Sequence, residues 1–365
     1  MTKVTVIGGG GTGHTLAADL SRRGHLVTLC EEPEYASSLE SVKASGGVEI
    51  SGALEPGFVA LDTITTDIEH AVSSAEVILV SVIANRHESV ARRIQSSLCD
   101  GQSIVIGPDN GGSLVFARTF RELGMTSRIL LGGMGGNYYP CRLIGPASVY
   151  VGMPTGTKKV AAFPSKETAK LIASLDGLFD FVSGKNVLEM ALSTPNIPNH
   201  LAGAILNTGA IESSDGKFNL FRDGLSPSVL RCIEAIVAER NTILRALEYD
   251  EINSPMLKKV AALDEHPELD MFRDLDGPSD MQHRYVTEDA VAGISLLVSL
   301  GCLLGVDTPV AEGLLSISSA INETDYLAEG RTLSVLGLHG KTIWEINHFL
   351  ETGFTGEPPA IPPLM

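Results

Sequence analysis

Residues 4–20 read Val4-Thr-Val-Ile-Gly-Gly-Gly-Gly-Thr-Gly-His-Thr-Leu-Ala-Ala-Asp-Leu20, VTVIGGGGTGHTLAADL. An apolar, β-branched run comes first, then five glycines around one threonine, then apolar residues at helical spacing. That order predicts a strand, a tight turn and a helix. Gly8, Gly10 and Gly13 fit Gly-x-Gly-x-x-Gly, a weak pattern alone in a chain with 38 glycines. Context strengthens it: a second strand-like run, His25–Leu29, follows the helix and ends in Cys30-Glu31-Glu32. Each part has a physical task. Gly8 permits the turn, Gly10 lets the backbone approach a pyrophosphate, and Gly13 lets the helix pack on the strand. The N–H groups around Gly11 and Thr12 then face the phosphates. The bland alternative is a glycine turn that holds nothing.

Glu31 follows Gly13 by eighteen residues, where a carboxylate can accept hydrogen bonds from the adenosine ribose and repel a 2′-phosphate. No Arg or Lys comes soon after it, which favours NAD, with NADP as the alternative should another loop supply a cation. Further apolar runs at Val77–Val80, Ser103–Ile106, Ile129–Leu131, Val149–Val151, Val160–Ala162 and Phe179–Val182 extend the strand series. Strands apolar throughout and alternating with helices predict a doubly wound, mostly parallel sheet. Ser81-Val82 and Gly107-Pro108-Asp109-Asn110 follow two of these strands. Ser81, Val82 and Pro108 are therefore expected along the cofactor at the carboxyl edge.

After about Gly184 the strand signals stop. Ser226-Pro227 predicts a helix start, and Val229, Ile233, Ile236, Val237, Ile243, Leu244 and Leu247 share one face behind it. Further helices are expected from Thr287 through Leu304 and from Thr308-Pro309. The expected organisation is a Rossmann domain over 1–184, an all-α domain over 185–354 and a tail over 355–365. The stretch 264–280 is acidic and turn-rich and is expected as a surface loop.

A length of 365 residues suits two such domains, and 44% hydrophobic with 19% charged residues can fill their cores. A net charge of −17 argues against nucleic acid and anionic membranes as partners. No wholly apolar run reaches the ~18 residues of a membrane span. The first residues enter the strand and turn without a signal peptide's apolar block, so a cytoplasmic protein is expected. Five scattered cysteines, never Cys-x-x-Cys, predict reduced thiols. No metal is expected, since His, Asp and Glu show no ligand spacing.

Two stretches of the second half carry chemistry. One is Asn196-Ile-Pro-Asn-His200, leading into a small apolar helix with Asn207 beyond it. The other is Arg284-Tyr-Val-Thr-Glu-Asp289 before an apolar helix. With Thr287 as N-cap, Asp289 would lie in the first turn, where the helix dipole favours a carboxylate. An ionised Asp there could orient a histidine as acid/base, and Glu288 could do the same. A plain acidic helix start is an equal alternative. Arg284 offers a fork for a substrate carboxylate, or merely a salt bridge. His200 alone reads more readily as a hydrogen-bonded core histidine.

As an ordered set, four pieces with the glycine turn resemble the opine dehydrogenase family, which includes octopine and nopaline dehydrogenases and N-(1-carboxyethyl)-norvaline dehydrogenase. They are Asn196-x-x-x-His200 with Asn207, Cys141-Arg142, Arg284-Tyr285-x-x-Glu288-Asp289, and Glu329-Gly-Arg-Thr-Leu-x-x-Leu-Gly-Leu338. The resemblance spans nearly the whole chain. It implies reductive condensation of an α-keto acid with the amine of an amino acid, by hydride transfer from NAD(P)H to an imine. It also implies His200 and Asp289 as the catalytic pair, Arg284 in the substrate pocket, and Asn196 and Asn207 at the substrate.

Two turns depart from the family's pattern. Val82-Ile83 stands where relatives have Val-Pro, and Pro108-Asp109-Asn110 stands where they tend to have Pro-Gly. Asp109 thereby adds a charge expected near the nicotinamide. The alternatives are a ketopantoate or 2-hydroxy-acid type reductase, for which Lys185 is the local lysine, and a non-catalytic NAD(H) sensor. A homodimer is expected from the apolar helical half.

Overall fold

The computed structural model describes residues 1–153, 156–253, 259, 262–266, 269 and 277–354. The expected tail 355–365 and much of the expected loop 264–280 lie outside the described residues. The chain divides into one unit of Met1–Ala191 with Lys341–Met365 and another of Leu192–Gly340.

The first unit carries β1 (Lys3–Ile7), β2 (Leu26–Cys30), β3 (Gly47–Gly52), β4 (Gly57–Ala60), β5 (Thr63–Thr65) and β6 (Val77–Val80). After these come β7 (Ser103–Ile106), β8 (Leu130–Met134), β9 (Cys141–Gly145), β10 (Ser148–Val151), β11 (Lys158–Phe163) and β12 (Phe181–Ser183). Eight form the main sheet, in the order β12-β11-β8-β7-β6-β1-β2-β5. β1 pairs in parallel with β2 on one side and β6 on the other, so the strand order reverses there. Ligands bind at the carboxyl ends of such a switch point. Every residue of β6 and β7 is buried, as continuous apolar runs in a doubly covered sheet require. Only the β8–β11 pairing breaks the parallel pattern.

The run Val149–Val151, expected to extend this sheet, does not belong to it. It forms β10 of a separate four-stranded sheet, β4-β3-β10-β9. Alternation explains the difference: Val48, Ile50, Val59, Val149 and Val151 are buried, while Glu49 and Phe58 are exposed. A strand with one wet face cannot sit inside a sheet covered on both sides. The buried face packs on α1 (Gly11–Arg22). α2 (Gly112–Glu122) follows β7.

The second unit is helical. α3 (Asn196–Ile205) is rich in small residues; a Cβ on its Gly203 would meet Leu220 Cδ1 at 2.7 Å. α4 (Pro227–Ala246) starts as expected, with the Val229 N–H donating to Ser226 Oγ. α5 runs Arg284–Leu304, and α6 (Pro309–Asn322) follows. By length and composition α5 could cross a membrane, yet most of it is buried within the unit, as a core helix is.

α7 (Ile343–Thr352) starts on a capping box between Thr342 and Glu345 and belongs to the first unit, contrary to the expected 185–354 domain. Its Phe349 ring lies 5.1 Å from Phe163 and 5.2 Å from Phe354, so an aromatic cluster joins α7 to the end of β11. The boundary also moves from 184 to 191. Lys159 Nζ on β11 holds Glu189 Oε1 at 2.8 Å, which ties the helix Val187–Leu192 to the sheet.

Candidate active site

The glycine turn has the form a dinucleotide requires. Gly8 has φ +133°, and a Cβ there would press on the Ser81 carbonyl oxygen at 2.7 Å. A Cβ on Gly13 would collide with the Gly8 carbonyl, so this residue lets helix and turn touch. Nothing lies within 4 Å of a Cβ on Gly10, which precedes α1. An open glycine at the N-terminus of a twelve-residue helix fits a pyrophosphate. Gly11 and Thr12 open α1; Thr12 Oγ1 donates to Asn137 Oδ1 at 3.3 Å and lies 3.8 Å from Cys141 Sγ.

Glu31, expected to accept hydrogen bonds from the adenosine ribose, is held by partners within the protein. It is 2% exposed, and both of its oxygens are engaged. Oε2 accepts from the Gly9 N–H at 2.8 Å and Oε1 from the Glu32 N–H at 2.8 Å. Arg86, from the turn after β6, grips the same carboxylate with Nη1 at 3.2 Å and Nη2 at 2.5 Å. Arg86 also donates to Glu32 Oε2 and lies 3.7 Å over the Tyr35 ring. Burial pulls this guanidinium down and the two carboxylates more than offset it. Another loop thus does bring a cation beside Glu31. Arg93 joins it, with Nη2 2.6 Å from Glu34 Oε1. Both guanidiniums are already paired with carboxylates.

Ser81 follows β6 beside Gly8, and its Oγ is buried with no hydrogen-bond partner among the described residues. Val82 next to it is 7% exposed. Pro108 is half-buried after a cis Gly107-Pro108 bond. Asp109, the charge expected near the nicotinamide, is bonded within its own turn. It is fully buried, and its carboxylate accepts from the Gly111 N–H at 3.1 Å and the Ser113 N–H at 2.9 Å, capping α2.

In the helical unit, His200 and Asp289 meet. Nδ1 of His200 lies 2.9 Å from Asp289 Oδ2, and the two residues are 7% and 3% exposed. The Tyr285 ring stacks on the imidazole with centroids 3.7 Å apart and planes 16° apart. Tyr285 and Asp289 are one turn apart, so a single face of α5 both stacks on the ring and holds its Nδ1. Tyr285 belongs to the motif Arg284-Tyr285-x-x-Glu288-Asp289, and its stacking on His200 is a role the motif alone does not disclose. Burial pushes the Asp289 carboxyl well above the ordinary range, and the Arg284 charge pulls the other way.

α5 begins at Arg284, not Thr287. His283 is its N-cap, with Nδ1 accepting from the Tyr285 N–H at 3.3 Å. Asp289 therefore lies beyond the first turn, and the helix dipole is not what holds it. The hydrogen bond to His200 Nδ1 holds it instead. Immediately after Asp289 the helix widens into a π turn, Ala290–Ile294. The Val291 carbonyl is taken by the Arg331 N–H at 2.7 Å, and Ser295 Oγ donates to the Ala290 carbonyl at 2.6 Å. Gly330 makes this approach feasible, because a Cβ there would collide with Ser295 and meet the Tyr326 carbonyl at 2.6 Å. The stretch Glu329–Thr332 thus wedges the widened turn beside Asp289.

Arg284 Nη1 donates to the buried Glu288 Oε2 at 3.2 Å, again one turn apart. Its side chain is 37% exposed, which leaves other N–H donors for a ligand carboxylate. Asn196 is half-buried one turn before His200 on α3. Asn207, expected at the substrate, is tied to two backbone carbonyls. Its Nδ2 donates to the Gly203 carbonyl at 2.8 Å and the Gly224 carbonyl at 3.0 Å, closing the end of α3.

Residues 183–322 match a family profile described as NAD/NADP octopine/nopaline dehydrogenase, alpha-helical domain. Residues 3–110 match one described as NADP oxidoreductase, coenzyme F420-dependent. An opine dehydrogenase from Arthrobacter sp. (strain 1C) is 30% identical over 361 residues, 95% of this chain and 98% of that protein. A solved octopine dehydrogenase with NADH and L-arginine shares the fold at TM-score 0.70 and 18% identity, covering 98% of this chain and 100% of that one. So does a yersinopine dehydrogenase with NADP⁺ bound, at TM-score 0.66 and 15% identity over 96% and 98% of the two chains. A whole-length relative, and a helical-domain match over the unit that joins His200 to Asp289, lead to one conclusion: the chain belongs to the opine dehydrogenase family, NAD(P)-dependent oxidoreductases acting on CH–NH bonds.

Proposed function

We propose that this chain joins an α-keto acid to the amine of an amino acid, and runs the reverse oxidation, with His200 and Asp289 as the acid/base pair. The observation that carries the reading is the buried His200–Asp289 hydrogen bond, in a chain that also holds a dinucleotide turn. Solved octopine dehydrogenases with pyruvate, with L-arginine and with agmatine support a keto acid and an amine as the substrate class.

Amine and keto acid lose water to form C=N. Hydride then adds to the carbon and a proton to the nitrogen, giving CH–NH. The bound dinucleotide supplies the hydride. With Nδ1 committed to Asp289, the transferable proton belongs to Nε2 of His200. Asp289 fixes the tautomer and stabilises the imidazolium, and Tyr285 fixes the ring plane. Arg284, braced by Glu288, holds a substrate carboxylate, and Asn196 hydrogen-bonds the substrate beside His200. NAD is the proposed cofactor, because Glu31 and Glu32 put two buried carboxylates directly after β2, and carboxylates at that position repel a 2′-phosphate.

Mass spectrometry of a reaction with NADH, pyruvate and a mixed amino-acid pool tests the reading. The expected product has the mass of keto acid plus amine less one oxygen. Formation of only the 2-hydroxy acid would overturn it in favour of the simple reductase.

A further inference from the structure

Arg240 lies within α4 and is fully buried, heading the fully buried side chains by volume. Among the described residues no carboxylate lies within ion-pair distance of it, and its Nε has no acceptor. Burial lowers this guanidinium to about 10, so it is still charged at neutral pH. A core position that needs only packing takes Leu or Met, because an unpaired buried charge is costly. The charge must therefore serve the groups it touches.

Those groups are two backbone carbonyls. Nη1 donates to Thr194 O at 3.2 Å and Nη2 to Ile252 O at 3.1 Å. Thr194 comes directly before Pro195 and four residues before Pro198. Neither proline has an N–H, so position 198 cannot offer the Thr194 carbonyl a helical donor. Arg240 supplies one. At its other end Ile252 is gripped twice, since the Ile252 N–H donates to Asn241 Oδ1 at 3.1 Å. Arg240 and Asn241 thus anchor the backbone at 252, and Arg240 carries that anchor to residue 194. α3 starts two residues later, with Asn196 and His200 one turn apart on it.

We propose that Arg240 is a positioning residue for His200: its buried fork replaces the donor the prolines lack, and so fixes the start of α3 where His200 must meet Asp289. The proposal rests on His200–Asp289 being the acid/base pair.

The test compares the full-length chain with Arg240→Met, which keeps apolar length and removes the donors, and with Asn241→Ala, which loosens only the Ile252 end. Histidine-selective ¹⁵N NMR reads the Nδ1–H proton of His200 directly, assigned by its absence in His200→Ala. Steady-state kinetics with NADH, pyruvate and the accepted amine read kcat and KM. In Arg240→Met the exchange-protected Nδ1–H signal should be lost. Its kcat should fall by about tenfold to a hundredfold, the scale of a misplaced catalytic group. KM and NADH affinity should change little, and Asn241→Ala should show the same signature more weakly. A folded Arg240→Met with the wild-type signal and kcat overturns the proposal. If that variant does not fold, Asn241→Ala with both readouts at wild-type values overturns it. The NMR arm needs no turnover, so a signal lost in Arg240→Met upholds the positioning of His200 by Arg240, while absence of amine consumption in the wild type counts against the acid/base reading alone.

Discussion

The imidazole of His200 and the carboxylate of Asp289 lie 2.9 Å apart although 89 positions separate them in the chain. Folding brings together a group able to exchange a proton and a group able to hold its ring. It buries both and clamps the ring under Tyr285. Everything proposed for the chemistry depends on that contact.

Removing the imidazole tests it first. His200→Ala should lower kcat by the ~10²–10⁴ typical of general acid/base catalysis. NADH affinity, measured by fluorescence titration, should not change, because the glycine turn lies in the other unit. A variant with wild-type kcat would remove His200 from the mechanism.

The pH response of stability tests the burial of Asp289. Its carboxyl is raised from 3.8 to about 7, with burial the leading cause. A carboxyl whose folded value exceeds its unfolded value binds its proton more tightly in the folded state. Its contribution therefore favours the fold at low pH and is lost as pH climbs from 3.8 through about 7. His200 shares that proton, so the titration belongs to the pair. Asp289→Asn, with no titrating carboxyl, should flatten the dependence of melting temperature on pH across that window. Parallel curves for the two proteins would contradict it.

Much of this architecture is legible in the sequence. Gly8 and Gly13 could be assigned tasks from their spacing, and the structure confirms the turn conformation and the helix contact. His200 and Asp289 could be paired only through the family resemblance, since no local pattern links positions so far apart. The second sheet is not legible in the sequence because β3 and β4 are short, glycine-flanked and wet on one face, while β9 has no buried residue. Arg86 was missed because its partner Glu31 is 55 residues away, and sequence spacing says nothing of such a contact. The N-cap was misplaced at Thr287 because a threonine before acidic residues looks like a helix start. The structure instead uses the less common cap His283.

The Glu31–Arg86 contact yields a cofactor prediction. Glu31→Gln removes one of two buried carboxylates while Arg86 keeps its charge. NADPH should then bind relatively better against NADH, by about tenfold if one charge contact of roughly 1.4 kcal/mol is gained. Titration with both dinucleotides measures this, and an unchanged ratio would show that Glu31 only braces the glycine turn.

The wedge beside Asp289 yields another. Gly330→Ala forces a Cβ against Ser295 and the Tyr326 carbonyl. The expected destabilisation is about 1–3 kcal/mol, as for other overpacked sites. Thermal unfolding should show it, and kcat should fall with it because the π turn adjoins Asp289. A variant with unchanged melting temperature and kcat would remove the wedge from the account.

The most direct measurement of the central claim is NADH oxidation followed in three mixtures: pyruvate alone, an amino-acid pool alone, and both together. Opine-type condensation predicts that absorbance at the NADH band falls only when both are present. Loss of NADH with pyruvate alone, unaffected by amino acids, would contradict it.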